Sequence, residues 1–186
     1  MQHSAQATRR WPISQHATAV LLLAGMAQAL SLAWPFDGAF KGDAQGWLQC
    51  LSLAVLAFHI DRSQSGKEAF VKAWVFALAW LAGSIWWLFI SMHRYGGLPA
   101  PVAGLAVGLM AAGLALFYAA AAMGYHAICK TGVGVLPRAG AFAAVWALAE
   151  MVRGTLWTGF PWGAVGYAHV DSLLQHWAPW MGVYGL

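Results

Sequence analysis

The fold class of this chain is decided by residues 102–128, VAGLAVGLMAAGLALFYAAAAMGYHAI, which contain no Asp, Glu, Lys or Arg. About 20 apolar residues in a helix suffice to cross the hydrocarbon core of a bilayer, and this run is longer. Of the 186 residues, 61% are hydrophobic and only 9% are charged. An ordinary soluble domain keeps about a quarter of its residues charged. The sequence therefore predicts an all-α membrane protein.

Further apolar runs on both sides of this segment predict a polytopic bundle. We expect a cytoplasmic N-terminal tail, residues 1–16, and a transmembrane domain, residues 17–186, with about five helices and the start of a sixth. The predicted spans are residues 17–34, 46–60, 71–92, 102–128 and 139–157, and a further span begins near residue 177. On the fourth span, Gly104, Gly108 and Gly113 predict a small-residue face suited to close contact with another helix.

The first apolar run has a second interpretation as a cleaved signal peptide. Arg9 and Arg10 precede it, and the triplet Ala27, Gln28 and Ala29 resembles a cleavage site. The membrane span is the main interpretation, and the signal peptide remains its alternative.

The basic residues predict the orientation of the bundle, because cytoplasmic loops of membrane proteins carry an excess of Lys and Arg. With the N-terminus in the cytoplasm, seven basic residues lie on that side and three on the other. The seven are Arg9, Arg10, Arg62, Lys67, Lys72, Lys130 and Arg138, and the three are Lys41, Arg94 and Arg153. The loops WPFDGAF (34–40), HRYGGLPAP (93–101) and TGFPWGAVGY (158–167) are then all predicted to be extracytoplasmic.

The remaining chemistry-bearing residues predict neither a cofactor nor nucleic-acid binding. Cys50 and Cys129 are far apart within or beside apolar runs, which is typical of small core-filling residues. His59, His93 and His126 lie near span ends on different sides, so they are not expected to gather around one metal ion. The net charge of +4 is assigned to loops on one side of the membrane.

The fifth predicted span contains two charges, Glu150 and Arg153. At a spacing of three they share a helix face and can form an ion pair. A charge at the bilayer centre costs about 2.5 to 3.5 kcal/mol on insertion scales, so unpaired charges there are disfavoured. We expect the pair to face protein or water. The alternative is that Arg153 reaches the membrane interface and Glu150 only neutralises it.

The aromatic loop, defined as residues 158–167, follows this span. Gly159 permits an unusual backbone conformation and Pro161 stops a helix. Phe160, Trp162 and Tyr167 are residue types that favour the level of the lipid headgroups. The loop is therefore predicted to be interfacial or re-entrant, and to line a lateral entrance for an amphiphile.

Three segments together resemble a known family. They are GSIWWLFISMHRYGGLPAPV at 83–102, the pattern W-x-x-x-E-x-x-R-G followed by TGFPW-x-x-x-GY within 146–167, and APWMGVYG at 178–185. The chain resembles the N-terminal membrane domain of bacterial apolipoprotein N-acyltransferases. The resemblance implies an integral inner-membrane enzyme that transfers an acyl chain from a phospholipid, typically phosphatidylethanolamine. The acceptor is the α-amino group of the diacylglyceryl-cysteine at the N-terminus of an apolipoprotein.

The resemblance also implies a division of labour. Members of the family carry a periplasmic nitrilase-like domain with a Glu-Lys-Cys triad, which these residues do not match, so we expect a truncated product that is inactive alone. No catalytic residue is carried over. The residues that match the family's loop pattern, and that would admit or position lipid, are Glu150, Arg153, Gly154, Gly159, Phe160, Pro161, Trp162 and Tyr167.

Two other function classes remain open on the residues alone. A transporter or channel subunit would use Glu150 and Arg153 to line a solute path, and it would need a second set of charges within the membrane. A non-catalytic assembly subunit is the second class. It predicts that replacing Trp162 or Glu150 lowers the abundance of the complete protein and leaves its activity intact.

Overall fold

The structure, a computed structural model, describes residues 13–129, 132, 134–156 and 158–185. In chain order it has helices α1 (Gln15–Leu30), α2 (Gly46–Asp61), α3 (Gly66–Ser84), α4 (Trp87–Ile90), α5 (Ala100–Cys129), α6 (Val135–Thr155) and α7 (Ala178–Met181). A π-helical turn, Ser91–Tyr95, continues α4, and two 3-10 turns, Val165–His169 and Leu173–Trp177, precede α7. The described residues contain no strand, so the predicted all-α class is confirmed. Residues 1–12, which include Arg9 and Arg10, and also Lys130 and Trp157 lie outside the described residues.

Serine caps fix the beginning of two helices. The Ser14 hydroxyl accepts a hydrogen bond from the Ala17 backbone at 3.2 Å, and the Ser65 hydroxyl accepts one from the Glu68 backbone at the same distance. Ser65 and Glu68 form the S-x-x-E spacing that is typical of helix N-termini. Helix α3 consequently starts at Gly66, before the predicted beginning of its span.

Two of the described helices, α5 with 30 residues and α6 with 21, are long and apolar enough to cross a membrane. A third candidate arises if α3 and the segment Trp87–Tyr95 form one span. Helix α2 is apolar but has only 16 residues, and α1 has the same length. Helix α7 has four residues. The spans predicted for these three regions stay predictions.

The third predicted span is bent where a straight helix was expected. The axis of α3 and that of Trp87–Tyr95 differ by 49°. Sharp kinks commonly occur at Gly/Ser pairs and at π-helical turns, and here Gly83 and Ser84 stand directly before the break. The Ser84 hydroxyl also donates to the Trp80 carbonyl oxygen at 2.9 Å, a side-chain bond of the kind that often bends helices. The break places Trp87 beside the aromatic loop.

Helix α3 lies at the centre of the bundle and packs against both α1 and α5, while α6 packs against α5. The core contains an aromatic cluster from three of these helices. Trp80 and Tyr118 have ring centroids 4.9 Å apart, and Trp146 lies 4.8 Å from Tyr118 and 5.9 Å from Trp80. Trp80 and Tyr118 are fully buried. This aromatic cluster packs against the charged residues of α6.

The predicted helix contact at Gly104, Gly108 and Gly113 is not made by the described residues. No heavy atom lies within 4 Å of the position that a Cβ would take at any of the three. Helix α5 instead buries a neighbouring stripe of small residues, at a spacing of four, against the bundle. The stripe consists of Ala103, Val107, Ala111, Ala115 and Ala119. Gly113 lies outside it, on an open groove between α5 and α6 of about 820 Å³.

Candidate functional site

Helix α6 brings Glu150 and Arg153 together inside the protein. The Arg153 Nη2 atom lies 3.2 Å from Glu150 Oε2, and neither side chain is exposed. The predicted ion pair is confirmed, and it faces protein. The alternative in which the Arg153 side chain snorkels to water is wrong, because the guanidinium is fully buried and bonded to the Phe160 and Trp162 carbonyl oxygens.

The Glu150 carboxylate has further donors on other elements. The Tyr118 hydroxyl of α5 donates to Glu150 Oε1, and the Val165 backbone N–H donates to Oε2 at 3.4 Å. A buried carboxylate is tolerated when it is paired and hydrogen-bonded, and this one is both. Glu150 therefore joins α5, α6 and the end of the aromatic loop.

Arg153 holds the first half of the aromatic loop. Its Nη1 atom donates to the carbonyl oxygens of Phe160 at 2.6 Å and Trp162 at 2.8 Å. The Phe160 N–H in turn donates to the Arg153 carbonyl oxygen at 2.9 Å. Arginine suits this task because its planar fork directs several donors at once. The loop is thus fastened to the end of α6 by one side chain and one backbone bond.

Helix α6 ends at Thr155, so Pro161 is not the residue that stops it. The chain leaves the helix at Leu156, which is extended, and turns back at Gly159, whose φ is +71°. This left-handed conformation favours glycine. A Cβ at Gly159 would also collide with the carbonyl oxygen of Gly154. The predicted unusual backbone at Gly159 is confirmed, and the turn, rather than the proline, reverses the chain.

Gly154 has a separate role in packing. A Cβ at this position would collide with the Tyr184 hydroxyl, which lies against the last turn of α6. Gly166 leaves room in the same way for the backbone of Val183. The segment after α7 therefore packs closely on both α6 and the aromatic loop.

The outer face of the aromatic loop borders an open cavity of about 450 Å³. Trp162 and Tyr167 line it and are 52% and 46% exposed. The opposite wall comes from the segment after α1 and from the break between α3 and α4, through Leu32, Ser84 and Trp87. Three regions of the sequence thus meet at one end of the bundle, around an aromatic and largely apolar cavity.

A contact that the sequence did not indicate holds the turn that follows the aromatic loop on α2. His169 is buried against α2, with its Nε2 atom 3.4 Å from Gln49 Nε2, and its ring lies where a Cβ on Gly46 would be. Burial lowers the pKa of His169 below its usual value of 6.5. The two partners are 120 residues apart, so no local pattern could have shown the contact.

Other reactive or charged side chains lie away from this site. Among the described residues, no three His, Cys, Asp or Glu side chains are grouped to hold a metal ion. Cys50 is exposed on α2, contrary to the expectation that it fills the core, and Cys129 lies at the end of α5. A second ion pair joins buried Lys72 to half-buried Glu68 at 2.7 Å. Lys72 also donates to the His59 carbonyl oxygen and the Ser63 hydroxyl, so it closes the turn between α2 and α3.

Comparison with known proteins gives a consistent result. A profile of the apolipoprotein N-acyltransferase N-terminal domain matches residues 24–186. An apolipoprotein N-acyltransferase of Verminephrobacter eiseniae is 53% identical over 172 residues, which cover 89% of this chain and 30% of that protein. One from Ralstonia nicotianae is 43% identical over 150 residues, covering 80% of this chain and 28% of that protein. One from Nitrosomonas europaea is 38% identical over 137 residues, covering 73% and 27%. The chain spans about 30% of the length of the curated relatives it matches.

Proposed function

The chain belongs to the apolipoprotein N-acyltransferase family, and we propose that it forms the membrane domain that admits and positions lipid for acyl transfer. The acyl donor would be a phospholipid, and the acceptor the diacylglyceryl-cysteine at the N-terminus of an apolipoprotein. The described residues contribute no nucleophile to this proposal. Cys129 is at the end of the bundle opposite the aromatic loop, and Cys50 is on the outside of α2.

The observation that carries the proposal is the anchored aromatic loop. Arg153 and Glu150 are fully buried and hold the loop from the inside, while Trp162 and Tyr167 remain half-exposed beside an open cavity. A loop that only connected two helices would not need a buried ion pair, since each buried charge carries a desolvation penalty. The arrangement fits a rigid aromatic platform.

The chemistry of the cavity suits a lipid. Trp and Tyr favour the interface between headgroups and acyl chains, because each combines an apolar ring with one polar group. Leu32, Trp87 and Pro161 supply apolar contacts for an acyl chain. The Ser84 and Tyr167 hydroxyls can bond to ester or phosphate oxygens. The cavity is open toward the outside of the bundle, so a lipid could reach it from the membrane.

The orientation is part of the proposal. We place the aromatic loop on the extracytoplasmic side of the bacterial inner membrane and the N-terminus in the cytoplasm. The excess of basic residues on the other side supports this, with seven against three in the predicted loops. Leu32, two residues before the loop 34–40, borders the same cavity as the aromatic loop, which supports placing these two loops on one side.

The test uses the complete gene product in a bacterium depleted of its own apolipoprotein N-acyltransferase. Conversion of diacylated to triacylated lipoprotein is measured per amount of folded protein. Trp162→Ala should slow conversion by about 10-fold or more, because positioning contributions are of this order. Trp47→Ala is the matched control, since Trp47 is 65% exposed at the start of α2 and outside the cavity. Equal conversion by the two variants, at equal protein level, contradicts the proposal.

A further inference from the structure

Two glutamines are buried where α1 packs against α2. Gln28 of α1 is 0% exposed and Gln49 of α2 is 3% exposed. Glutamine is mostly found at protein surfaces, because its amide carries two donor hydrogens and an acceptor oxygen that need hydrogen-bond partners. Inside an apolar bundle, the two amides therefore need partners within the protein.

Two hydrogen bonds fix the register of α1 against α2 on either side of these glutamines. The Ser52 hydroxyl donates to the Ala24 carbonyl oxygen at 2.7 Å, and the Gln45 backbone N–H donates to the Ser31 carbonyl oxygen at 2.8 Å. On each helix the buried glutamine lies between the two contacts, four residues from one and three from the other. Such spacings share one helix face, so the two buried glutamines lie at the same level of the α1–α2 contact.

Helix α3 encloses Gln28 from another side. A Cβ on Gly25 would collide with the Phe76 carbonyl oxygen, and a Cβ on Gly83 would lie 2.8 Å from the Ala29 Cβ. Helix α1 therefore lies directly on α3 both before and after Gln28. The Gln28 amide is at the junction of three helices, and it cannot reach the outside of the bundle unless they separate.

The two amides have three atoms without partners. Across residues 13–129, 132, 134–156 and 158–185, no hydrogen-bond partner is found for Gln28 Nε2, Gln28 Oε1 or Gln49 Oε1. The remaining amide atom, Gln49 Nε2, lies 3.4 Å from His169 Nε2. A buried polar atom without a partner is unfavourable, and in native proteins such atoms commonly bind ordered water.

The three atoms match the bonding capacity of one water molecule. A buried water typically makes about three hydrogen bonds to polar groups that have no other partner. Here it would accept from Gln28 Nε2 and donate its two hydrogens to Gln28 Oε1 and Gln49 Oε1. The two amides make no direct bond to each other although they lie at the same level, which favours a bridging molecule.

We propose that a water molecule binds between Gln28 and Gln49 as a constant part of the membrane domain. The water fixes the Gln49 amide, and this amide holds His169, whose ring lies against Gly46. Gln28 is therefore a positioning residue for the turn Val165–His169, on which it acts through the water and Gln49. The proposal does not depend on acyl transfer.

A structure of the complete gene product by cryo-electron microscopy, at a resolution that shows buried waters, tests the site without any substitution. Density for a water should lie within about 3.2 Å of both amides. Gln28→Met should remove this density, and Gln15→Met, at an exposed glutamine of the same helix, should keep it. Two amides bonded directly to each other, or no density between them where other buried waters are visible, overturn the proposal.

Thermal unfolding of the same variants gives an independent result. Gln28→Met keeps the length of the side chain but leaves Gln49 Oε1 without its water. At the thermal midpoint of the native protein, it should lower the ratio of folded to unfolded protein about 5-fold or more. The same substitution should have a smaller effect in a Gln49→Met background. A Gln28→Met protein more stable than the native one overturns the proposal, because its amide would then have had no partner to lose.

Hydrogen exchange separates positioning from general stability. In the complete gene product, Gln28→Met should speed amide exchange in residues 165–169 more than in α3, because the hold on His169 weakens while the α1–α3 contact remains. Gln15→Met should change neither segment. Equal acceleration in both segments, or no change in residues 165–169, overturns the positioning role of Gln28.

Discussion

Arg153 donates a hydrogen bond to the carbonyl oxygen of Trp162, nine residues further along the chain, at 2.8 Å. The same nitrogen reaches the Phe160 carbonyl oxygen, and the neighbouring nitrogen reaches Glu150. One buried guanidinium therefore connects the fixed part of the bundle to the aromatic loop that borders the open cavity.

Replacement of Arg153 should release the loop. Arg153→Lys keeps the positive charge but cannot serve Glu150 and two carbonyl oxygens with one planar group. Removing a partner from a buried ion pair costs about 3 to 5 kcal/mol, and we expect Arg153→Met to approach this loss in the free energy of unfolding, with Arg153→Lys between it and the native protein. Unfolding in detergent and proteolysis within residues 158–167 measure both effects. Arg94→Lys, at an exposed arginine, should leave both unchanged.

The Tyr118 hydroxyl should stabilise the site through Glu150. Tyr118→Phe leaves a buried carboxylate oxygen with one donor fewer, which is expected to lower the free energy of unfolding by about 1 to 3 kcal/mol. Glu150→Gln combined with Tyr118→Phe should lower it by less than the sum of the two single effects, because the two groups act together. Tyr95→Phe is the control, since Tyr95 is 85% exposed. Strict additivity would show that the two side chains do not interact.

Two glycines with nearly the same positive φ should differ in their tolerance of alanine. Gly159 and Gly97 have φ values of +71° and +69°. Alanine at a positive φ costs about 1 to 2 kcal/mol. Only at Gly159 does the new Cβ also collide with a backbone oxygen, whereas Gly97 has open space. Gly159→Ala should therefore destabilise the protein more than Gly97→Ala and expose residues 158–167 to faster hydrogen exchange. The reverse order would contradict the turn described here.

Acid should weaken the attachment of the aromatic loop to α2. The pKa of His169 is lowered by burial, so the unfolded chain binds a proton more readily than the folded protein does. Stability from neutral His169 is complete above the ordinary pKa of 6.5 and falls as the pH drops below it. His169→Gln should reduce the difference in thermal midpoint between pH 7.5 and pH 5.5. His176→Gln, at an exposed histidine, should not reduce it.

The sequence predicted what short spacings and composition determine. Helical apolar runs gave the all-α class, and the spacing of three between Glu150 and Arg153 gave the ion pair, since both depend on neighbours along one helix. The Tyr118 hydroxyl and the Val165 N–H on Glu150 were not predicted, because they come from 32 and 15 residues away. The glycine face of α5 was assigned to helix packing, although an adjacent alanine stripe makes that contact. A count of small residues alone does not show which side of a helix is covered.

Some features of the aromatic loop were predicted and others were not, again because some depend on neighbouring residues and others on distant ones. Gly159 was predicted because its lack of a side chain acts locally, whereas the attachment of the loop to Arg153 involves residues beyond the turn. The roles of Gly154 in seating Tyr184, and of His169 in holding the loop on α2, follow from packing between distant segments.

The central claim is that the aromatic loop contacts the lipid that donates its acyl chain. The most direct measurement is photo-crosslinking of a phosphatidylethanolamine with a photoreactive acyl chain to the complete gene product in membranes, followed by mapping of the labelled residues. Label should concentrate on residues 161–167 and Trp87, and unlabelled phosphatidylethanolamine should compete for it. Label spread evenly over the exposed side chains of α5, such as Leu105 and Leu109, with none at Trp162, would contradict the account.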